Sequence, residues 1–249
     1  MRKTKNLILV GLTAGLCLLS MTAQAASLKL CAAEWQPYTS NEISGGGFFA
    51  NLIVKALESQ GHTVHVRIYP WKRALAMTKK GRCDGLIGAS YTEERARLFA
   101  YPHWAWNVDI RLFGQTGRYG FFNALEDLCP AVIGLNRGSY LEAKFKKISC
   151  LNSMPVVNVS HNIKQLLAGR IDLLAEAADS VIYYLNRDFH DRNGDITALS
   201  PALETDKIYV AFSKQNPDHA ALVQALDAGM KHIKKTGIYN AVLHHHGMR

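Results

Sequence analysis

Five cysteines, Cys17, Cys31, Cys83, Cys129 and Cys150, are the residues best suited to covalent chemistry. None belongs to a CxxC pair, which argues against a zinc site. Cys17 lies in an N-terminal apolar run that a secretory signal would remove. The other four are an even number, as in exported proteins that form disulfides. Four cysteines allow three pairings, and we expect two disulfides and no free thiol in the exported protein.

Other reactive patterns point away from metal and cofactor chemistry. His62 and His65 are three residues apart on a predicted strand and therefore face opposite sides of it, which argues against a shared metal. We interpret His244, His245 and His246 as part of a solvated tail. Glycine-rich phosphate loops, GxSxG and HExxH motifs are absent, and residues 191–195 lack the spacing of a calcium loop. We expect neither a metal nor a cofactor.

The N-terminus has the three parts of a secretory signal peptide. Residues 1–6 are basic, residues 7–21 are largely apolar, and Ala23 and Ala25 form a small-x-small cleavage pattern. The apolar run is shorter than the roughly 20 residues that a membrane span needs. We therefore expect residues 1–25 to be cleaved as a signal peptide and the protein to be exported. An uncleaved anchor helix is the alternative.

Charge and composition narrow the class of partner. Removing Arg2, Lys3 and Lys5 from 29 basic residues leaves 26 against 20 acidic residues, a net charge of +6. The basic residues are dispersed, with short runs at 144–147 and 231–235 that are typical of solvated helix faces rather than a nucleic-acid footprint. A hydrophobic fraction of 48% excludes intrinsic disorder. We expect a small-molecule ligand and no nucleic acid.

The chain alternates strand-like and helix-like segments, the pattern of an α/β fold with parallel sheets. The predicted strands are 28–33, 62–69, 84–89, 131–135, 156–159, 171–175 and 208–212. The predicted helices are 48–59, 71–80, 140–147, 163–168 and 217–235, with an Asn-Gly turn at 191–195 and a short tail at the end. Two α/β halves joined near residue 110, with a helix left over, predict a two-lobed protein.

The order of these elements favours one set of disulfides. Cys31 lies in the first strand and Cys83 at the start of the third, which are neighbours in a doubly wound sheet. Cys129 and Cys150 each precede a strand of the second half. The favoured pairings are therefore Cys31–Cys83 and Cys129–Cys150.

A set of short motifs, in this order and spacing, resembles the family 3 periplasmic solute-binding proteins. These are two-lobed receptors that are best known for binding polar amino acids for ABC importers. The resemblance covers Leu28 to about Tyr239. The motifs are Trp35-Gln36-Pro37-Tyr38, Gly47-Phe48-Phe49-Ala50-Asn51-Leu52, Lys80-Gly81-Arg82-Cys83-Asp84-Gly85, Ser90-Tyr91-Thr92-Glu93-Glu94-Arg95, Arg137-Gly138-Ser139-Tyr140 and Gly169-Arg170-Ile171-Asp172. The Pro70-Trp71-Lys72-Arg73-Ala74 segment resembles a divergent branch of the same family.

This resemblance implies a type II periplasmic-binding-protein-like fold, in which each lobe is a mixed, mainly parallel sheet flanked by helices. Lobe 1 would comprise residues 26–110 plus 211–249, and lobe 2 residues 111–210. Two crossing segments, near 108–113 and 208–212, would form the hinge. The ligand would lie between the lobes and favour their closure.

The resemblance also implies roles for particular residues. Arg95 would fork onto a ligand carboxylate, which suits a planar guanidinium; a surface salt bridge with Glu93 or Glu94 is the alternative. Ser90 would add a donor. Further predicted ligand contacts are Ser139 and Tyr140 at a helix N-terminus, and Trp71 and Trp35 as aromatic walls, with Tyr38 and Arg73 as weaker candidates for the same rim.

The departures from the family pattern concern specificity. Amino-acid binders of this family carry an aspartate after the third strand of lobe 2, at the position of Ala177. Glu176 or Asp179 is expected to replace it, or else the ligand lacks an α-amino group. Asn51 replaces an acidic residue of the first helix.

The sequence therefore predicts a monomeric periplasmic solute-binding protein, not an enzyme, that captures a small carboxylate-bearing solute for an ABC permease of the inner membrane. Two alternatives remain open. One is an enzyme of the cyclohexadienyl dehydratase type, with Glu176 as general acid. The other is a receptor that reports its ligand to a membrane sensor.

Overall fold

The computed structural model describes residues 27–248. The predicted signal peptide, residues 1–25, and Cys17 lie outside this range. Among residues 27–248, no helix combines the length and the apolar character that a bilayer crossing requires.

Ten strands form one continuous hydrogen-bonded sheet. They are β1 Ser27–Ala32, β2 Thr63–Ile68, β3 Gly85–Ser90, β4 Phe99–Ala100, β5 Trp106–Gln115, β6 Val132–Asn136, β7 Asn152–Val156, β8 Leu173–Ala177, β9 Ile196–Ala198 and β10 Glu204–Ser213. The strand order is β2-β1-β3-β10-β5-β8-β6-β7, with β4 on β10 and β9 on β5.

The sheet consists of two parallel halves joined by two long antiparallel strands. β2, β1 and β3 pair in parallel, and so do β8, β6 and β7. β5 and β10 pair with each other along Trp106–Ile110 and Glu204–Ile208. β10 also pairs with β3 of the first half, and β5 also pairs with β8 of the second half. The chain therefore crosses between the halves in β5 and β10, where the sequence predicts the two crossing segments.

Eight α-helices cover the sheet within the described residues. They are α1 Phe48–Glu58, α2 Trp71–Lys79, α3 Glu93–Ala96, α4 Tyr140–Phe145, α5 Val159–Leu167, α6 Ala178–Asp188, α7 His219–Lys235 and α8 Ile238–His245. Short 3₁₀ turns cover Ser44–Gly46, Leu125–Leu128 and His190–Asp195. The start of α1 depends on Gly47, whose φ is +90° and where a Cβ would lie 2.6 Å from the carbonyl oxygen of Tyr38. Only glycine fits this close approach without strain.

Both predicted disulfides are present. Cys31 in β1 bonds Cys83, just before β3, with Cα atoms 5.9 Å apart. Cys129 and Cys150 precede the paired strands β6 and β7, with Cα atoms 5.5 Å apart. The element order predicts these pairings correctly because each bond joins neighbouring parallel strands, β1 to the start of β3 and the start of β6 to the start of β7.

Three sequence predictions about local structure are wrong. Residues 156–159 are not a strand: β7 ends at Val156, and the side chain of Asn158 accepts a hydrogen bond from the backbone of His161, which starts α5 at Val159. Residues 191–195 belong to a 3₁₀ turn rather than an isolated Asn-Gly turn. The C-terminal tail forms α8, and His246 directly after it lies 3.2 Å from the Asn51 amide.

Candidate ligand-binding site

A cavity of about 340 Å³ lies between the two halves of the sheet. Its polar walls come from the carboxyl ends of strands in both halves, which is where open α/β sheets bind ligands. All seven predicted ligand contacts line it: Trp35, Trp71, Ser90, Arg95, Ser139, Tyr140 and Glu176. Tyr38, Arg73 and Asp179 do not line it. Much of the remaining wall is apolar, formed by Ile68, Ile87, Ile110, Leu141 and Val157.

Arg95 is a buried cation that forms no ion pair with any described residue. It lies in α3, whose N-cap Thr92 accepts a hydrogen bond from the Arg95 backbone, and it is 9% exposed. Nη1 donates to the carbonyl oxygen of Ser90 at 3.1 Å, and Cζ lies 5.4 Å from the centroid of the Trp71 ring. Among the described residues, no carboxylate forms an ion pair with Arg95, so the predicted alternative of a salt bridge to Glu93 or Glu94 is not realised. Burial lowers the pKa of this guanidinium, as expected for a cation removed from water.

Ser90 and Tyr140 are held by acidic residues of β10. The Ser90 hydroxyl donates to Asp206 at 2.6 Å, and the Tyr140 hydroxyl donates to Glu204 at 2.9 Å. Burial raises the pKa of Asp206. The Ser90 hydroxyl donates its proton to Asp206. Toward a ligand it can therefore act only as a hydrogen-bond acceptor. Ser139 acts as the N-cap of α4, where its side chain accepts from the backbone of Glu142.

Two indole rings bridge the halves. Trp71, at the start of α2, donates from Nε1 to the carbonyl oxygen of Gly138 at 3.0 Å. Trp35, just after β1, donates from Nε1 to Oε1 of Glu176, also at 3.0 Å. The Trp35 ring stacks on Tyr38, with centroids 4.3 Å apart. Tyr38 therefore supports Trp35 from behind instead of forming the rim.

Glu176 is the buried carboxyl of the cavity, 5% exposed on β8. Its Oε1 accepts from Trp35 and from the backbone of Ala177 at 2.9 Å, and its Oε2 accepts from Nδ2 of Asn136 at 2.7 Å. Burial raises the pKa of Glu176 to about 7, against the opposing effect of these three donors.

The structure separates the two candidate replacements for the missing aspartate. Glu176 lines the cavity, whereas Asp179, in the first turn of α6, accepts a hydrogen bond from the Tyr38 hydroxyl at 3.1 Å outside it. Ala177 is fully buried at the end of β8. Asn136 and Asp206 are not among the site residues predicted from the sequence. Asn136 is the last residue of β6, and its position at a strand end is a signal that could have identified it. Asp206 is 116 residues from Ser90, and no sequence pattern indicates that the two are in contact.

The raised pKa of Glu176 predicts a pH dependence of stability. Its folded pKa of about 7 exceeds the ordinary value of 4.5, so between these pH values the native state holds a proton that the unfolded chain has released. Stability due to this group is therefore full below pH 4.5 and falls as the pH rises through 7, by about 3 kcal/mol in total. Urea unfolding at pH 5 and pH 8 should show this loss in the wild type and not in Glu176→Gln.

The exposed Glu126 provides the control. Glu126→Gln should keep the pH profile of the wild type, because this side chain lies in water on the 3₁₀ turn before β6. If Glu176→Gln and the wild type lose the same stability between pH 5 and pH 8, Glu176 titrates normally and the predicted proton is absent.

The described residues contain no group of three or more His, Cys, Asp or Glu side chains placed to hold a metal ion. The side chains of the cavity include the Arg95 guanidinium, the Glu176 carboxyl with its pKa of about 7, two indole rings and an apolar wall.

Comparison with protein-family models matches residues 30–248 to the bacterial extracellular solute-binding proteins, family 3. Comparison with curated proteins finds no match.

Solved structures of the same fold cover nearly the whole chain. An amino acid ABC transporter substrate-binding protein from Streptococcus pneumoniae, bound to L-arginine, is 16% identical, with a TM-score of 0.74 over 89% of this chain and 94% of that one. The GluR0 ligand-binding core from Nostoc punctiforme, in complex with L-glutamate, is 15% identical, with a TM-score of 0.74 over 87% and 97%. A histidine kinase sensor domain with similarity to periplasmic binding proteins is 22% identical, with a TM-score of 0.75 over 87% and 93%. These similarities confirm the predicted fold class.

Proposed function

Because the chain belongs to family 3 of the bacterial extracellular solute-binding proteins, we propose that it is a periplasmic solute-binding protein that captures a small carboxylate-bearing solute between two lobes. In this proposal it delivers an amino acid or a related solute to an ABC permease of the inner membrane and acts as a monomer. Residues 1–25 are its signal peptide. The two disulfides suit the oxidising periplasm.

The observation that carries the proposal is Arg95. A guanidinium this buried is normally paired with a carboxylate, because removing an unpaired charge from water is costly. Within the part of the chain that the structure describes, Arg95 instead makes one side-chain hydrogen bond from the cavity wall, to a neutral carbonyl. A ligand carboxylate there would accept two parallel hydrogen bonds from the guanidinium and supply the missing charge. Trp35 and Trp71 would enclose the apolar body of the ligand.

Closure of the lobes follows from how the halves are connected. Lobe 1 comprises residues 26–110 plus 211–249, lobe 2 residues 111–210, and the hinge lies in β5 and β10 near residues 108–113 and 208–212. The hydrogen bonds from Trp35 to Glu176 and from Trp71 to Gly138 join the two sides of the cavity directly. A ligand that contacts Arg95 on one side and α4 on the other stabilises this closed arrangement by its differential affinity.

A dehydratase is the second candidate function, and one observation favours it. Glu176 faces the cavity with a pKa of about 7, a value suited to donating a proton to a leaving hydroxyl near neutral pH. In this scheme Arg95 holds a substrate carboxylate, and the hydroxyl leaves as water with the proton of Glu176. The electron pair for the new double bond comes from a substrate bond that breaks at the same time, releasing carbon dioxide or a proton.

A thermal-shift screen of the refolded, ligand-stripped protein tests the proposal. The panel contains amino acids, simple carboxylates, small peptides and prephenate. A ligand at a hundredfold its dissociation constant adds about 2.7 kcal/mol to the unfolding free energy, which at this size raises the midpoint by about 5–10 °C. If no carboxylate in the panel shifts the melting midpoint, the result contradicts a carboxylate-binding function. If prephenate is both bound and consumed, the dehydratase replaces the receptor.

A further inference from the structure

Every carboxylate on the cavity wall is already engaged by the protein. Glu176 accepts from Trp35, Asn136 and the Ala177 backbone. Glu34, the other acidic residue of the wall, accepts from the Gln36 amide at 3.0 Å on one oxygen and from the Asn41 backbone at 3.2 Å on the other. Within residues 27–248, the wall therefore holds one cation that forms no ion pair and two carboxyl groups whose oxygens already accept hydrogen bonds from the protein.

The acidic residues next to the wall are engaged as well. Asp206 accepts from the Ser90 hydroxyl and from the Lys207 backbone at 2.8 Å. Glu204 accepts from the Tyr140 hydroxyl and pairs with Lys144. Asp179, the remaining candidate for a ligand ammonium, lies outside the cavity on the Tyr38 hydroxyl. Around the cavity, each oxygen of Glu34, Glu176, Glu204 and Asp206 thus already accepts a hydrogen bond from the described part of the protein, so a ligand ammonium would have to share or displace one of these donors.

A ligand ammonium in this cavity would meet an unfavourable environment. It would need Glu176 ionised, although burial favours the neutral form of that carboxyl, and it would have to compete with three donors that already occupy it. An ammonium buried without a counter-ion loses its hydration with no compensating charge. The carboxylate of the ligand interacts fully with Arg95 whether or not the ligand also carries an ammonium group.

The wall does offer an acceptor that suits an uncharged donor. The amide nitrogen of Asn136 donates to Glu176, and this orientation turns the amide oxygen away. That oxygen is buried and has no hydrogen-bond partner among the described residues. A small local adjustment on binding would let a ligand hydroxyl donate to it without bringing in charge.

Resting on the proposed function and narrowing it, we propose that the ligand is a carboxylic acid with an apolar body and no ammonium group. Aryl acids and branched-alkyl acids are examples. The site also accepts a hydroxyl at the position where amino acids carry the amine. Arg95 binds the carboxylate, and Trp35, Trp71 and the isoleucines of the wall enclose the body. The cavity is thereby selective against the amino acids that share this body.

Calorimetry with matched ligand triplets tests this at pH 7. One triplet is 3-phenylpropanoate, 3-phenyllactate and phenylalanine; the other is 4-methylpentanoate, 2-hydroxy-4-methylpentanoate and leucine. Within a triplet only one substituent changes, from hydrogen to hydroxyl to ammonium. In at least one triplet we expect the acid or the hydroxy acid to bind at least about tenfold more tightly than the amino acid, since each factor of ten needs only about 1.4 kcal/mol.

The variant Glu176→Gln tests whether the Glu176 carboxylate is the counter-ion of a ligand ammonium. If Glu176 is not the partner of an ammonium, the ratio between the amino-acid and simple-acid affinities should change by less than about threefold. If the amino acid alone loses affinity by tenfold or more, Glu176 is its counter-ion and the inference is wrong. Asp179→Asn is the matched control, because Asp179 lies outside the cavity.

The outcomes separate this inference from the function on which it rests. Amino acids that bind as tightly as or more tightly than their deaminated partners, with Arg95-dependent affinity, would overturn the inference and leave a carboxylate receptor in place. If no carboxylate of either triplet or of the wider screen binds, both the inference and the proposed function fail.

Discussion

Replacing Arg95 by alanine is expected to lower the affinity for a carboxylate ligand at least about a hundredfold, roughly 3 kcal/mol. Among residues 27–248, the guanidinium is the one cation of the cavity wall, and it contacts the Ser90 carbonyl and the Trp71 ring rather than an acidic residue. The variant loses both hydrogen bonds to the carboxylate and leaves that anion in an apolar cavity. Isothermal titration calorimetry with any acid that shifts the melting midpoint provides the measurement.

Two variants make the Arg95 result interpretable. Arg95→Lys keeps the charge but loses the planar fork, and we expect an affinity between those of the wild type and the alanine variant. Arg97→Ala, two residues further along the chain, removes an exposed arginine and should leave affinity unchanged. The melting midpoint of ligand-free Arg95→Ala should not fall below that of the wild type by more than a few degrees, because the variant removes a buried unpaired cation. Unchanged affinity in Arg95→Ala would place the carboxylate elsewhere.

Removing the Cys31–Cys83 disulfide in a Cys31→Ala/Cys83→Ala variant should lower the free energy of unfolding by about 4 kcal/mol, the chain-entropy value for residues 52 apart. Both cysteines are fully buried, and the bond joins β1 to the start of β3. Loss of the bond increases the conformational entropy of the unfolded chain more than that of the folded chain, because the strands remain paired in the folded chain. Urea unfolding of the oxidised wild type and the double variant measures the difference.

The second disulfide supplies an internal comparison. Cys129 and Cys150 are only 21 residues apart, so the corresponding double variant should lose about 3 kcal/mol, somewhat less than the first. Reducing agent should bring the wild type toward the variants and leave a protein without either bond unaffected. Equal unfolding midpoints for the oxidised wild type and the Cys31→Ala/Cys83→Ala variant would show that the first bond does not stabilise the fold.

The fold was predictable from the sequence because its signals are local. Alternating apolar segments about six residues long, separated by amphipathic helices, indicate parallel sheets in any context. The errors arise where one local signal competes with another. Val156 to Val159 has the β-branched composition of a strand, but the Asn158 side chain caps a helix at that point, and the cap determines the structure. The three histidines after Lys235 favour a solvated tail, and His244 and His245 are exposed, but the segment forms α8, which packs against α7 and α1.

The candidate site was predictable in part for the same reason. Ligand residues of an α/β sheet follow the carboxyl ends of its strands, so Trp35, Ser90 and Glu176 could be selected from their positions next to predicted strands together with the family resemblance. Asn136 satisfies the same rule but was not selected, because nothing in the motif around it marks an amide as a functional group. Asp206 lies in the middle of the predicted crossing region and contacts Ser90 only through the fold.

The sequence by itself determined the α/β class, the two disulfides, the cationic Arg95 and the aromatic residues at the strand ends, because each depends on residue type and on spacing along the chain. Only the tertiary structure decided which carboxylate faces the cavity. Glu176 and Asp179 are three residues apart, and a single residue on a strand changes the face to which a side chain points. The pairing of β8 with β5 and the turn into α6 place Glu176 against Trp35 and Asn136, and Asp179 against Tyr38. Their roles differ because packing across the sheet, rather than the order of residues, sets which charges are buried and which are already paired.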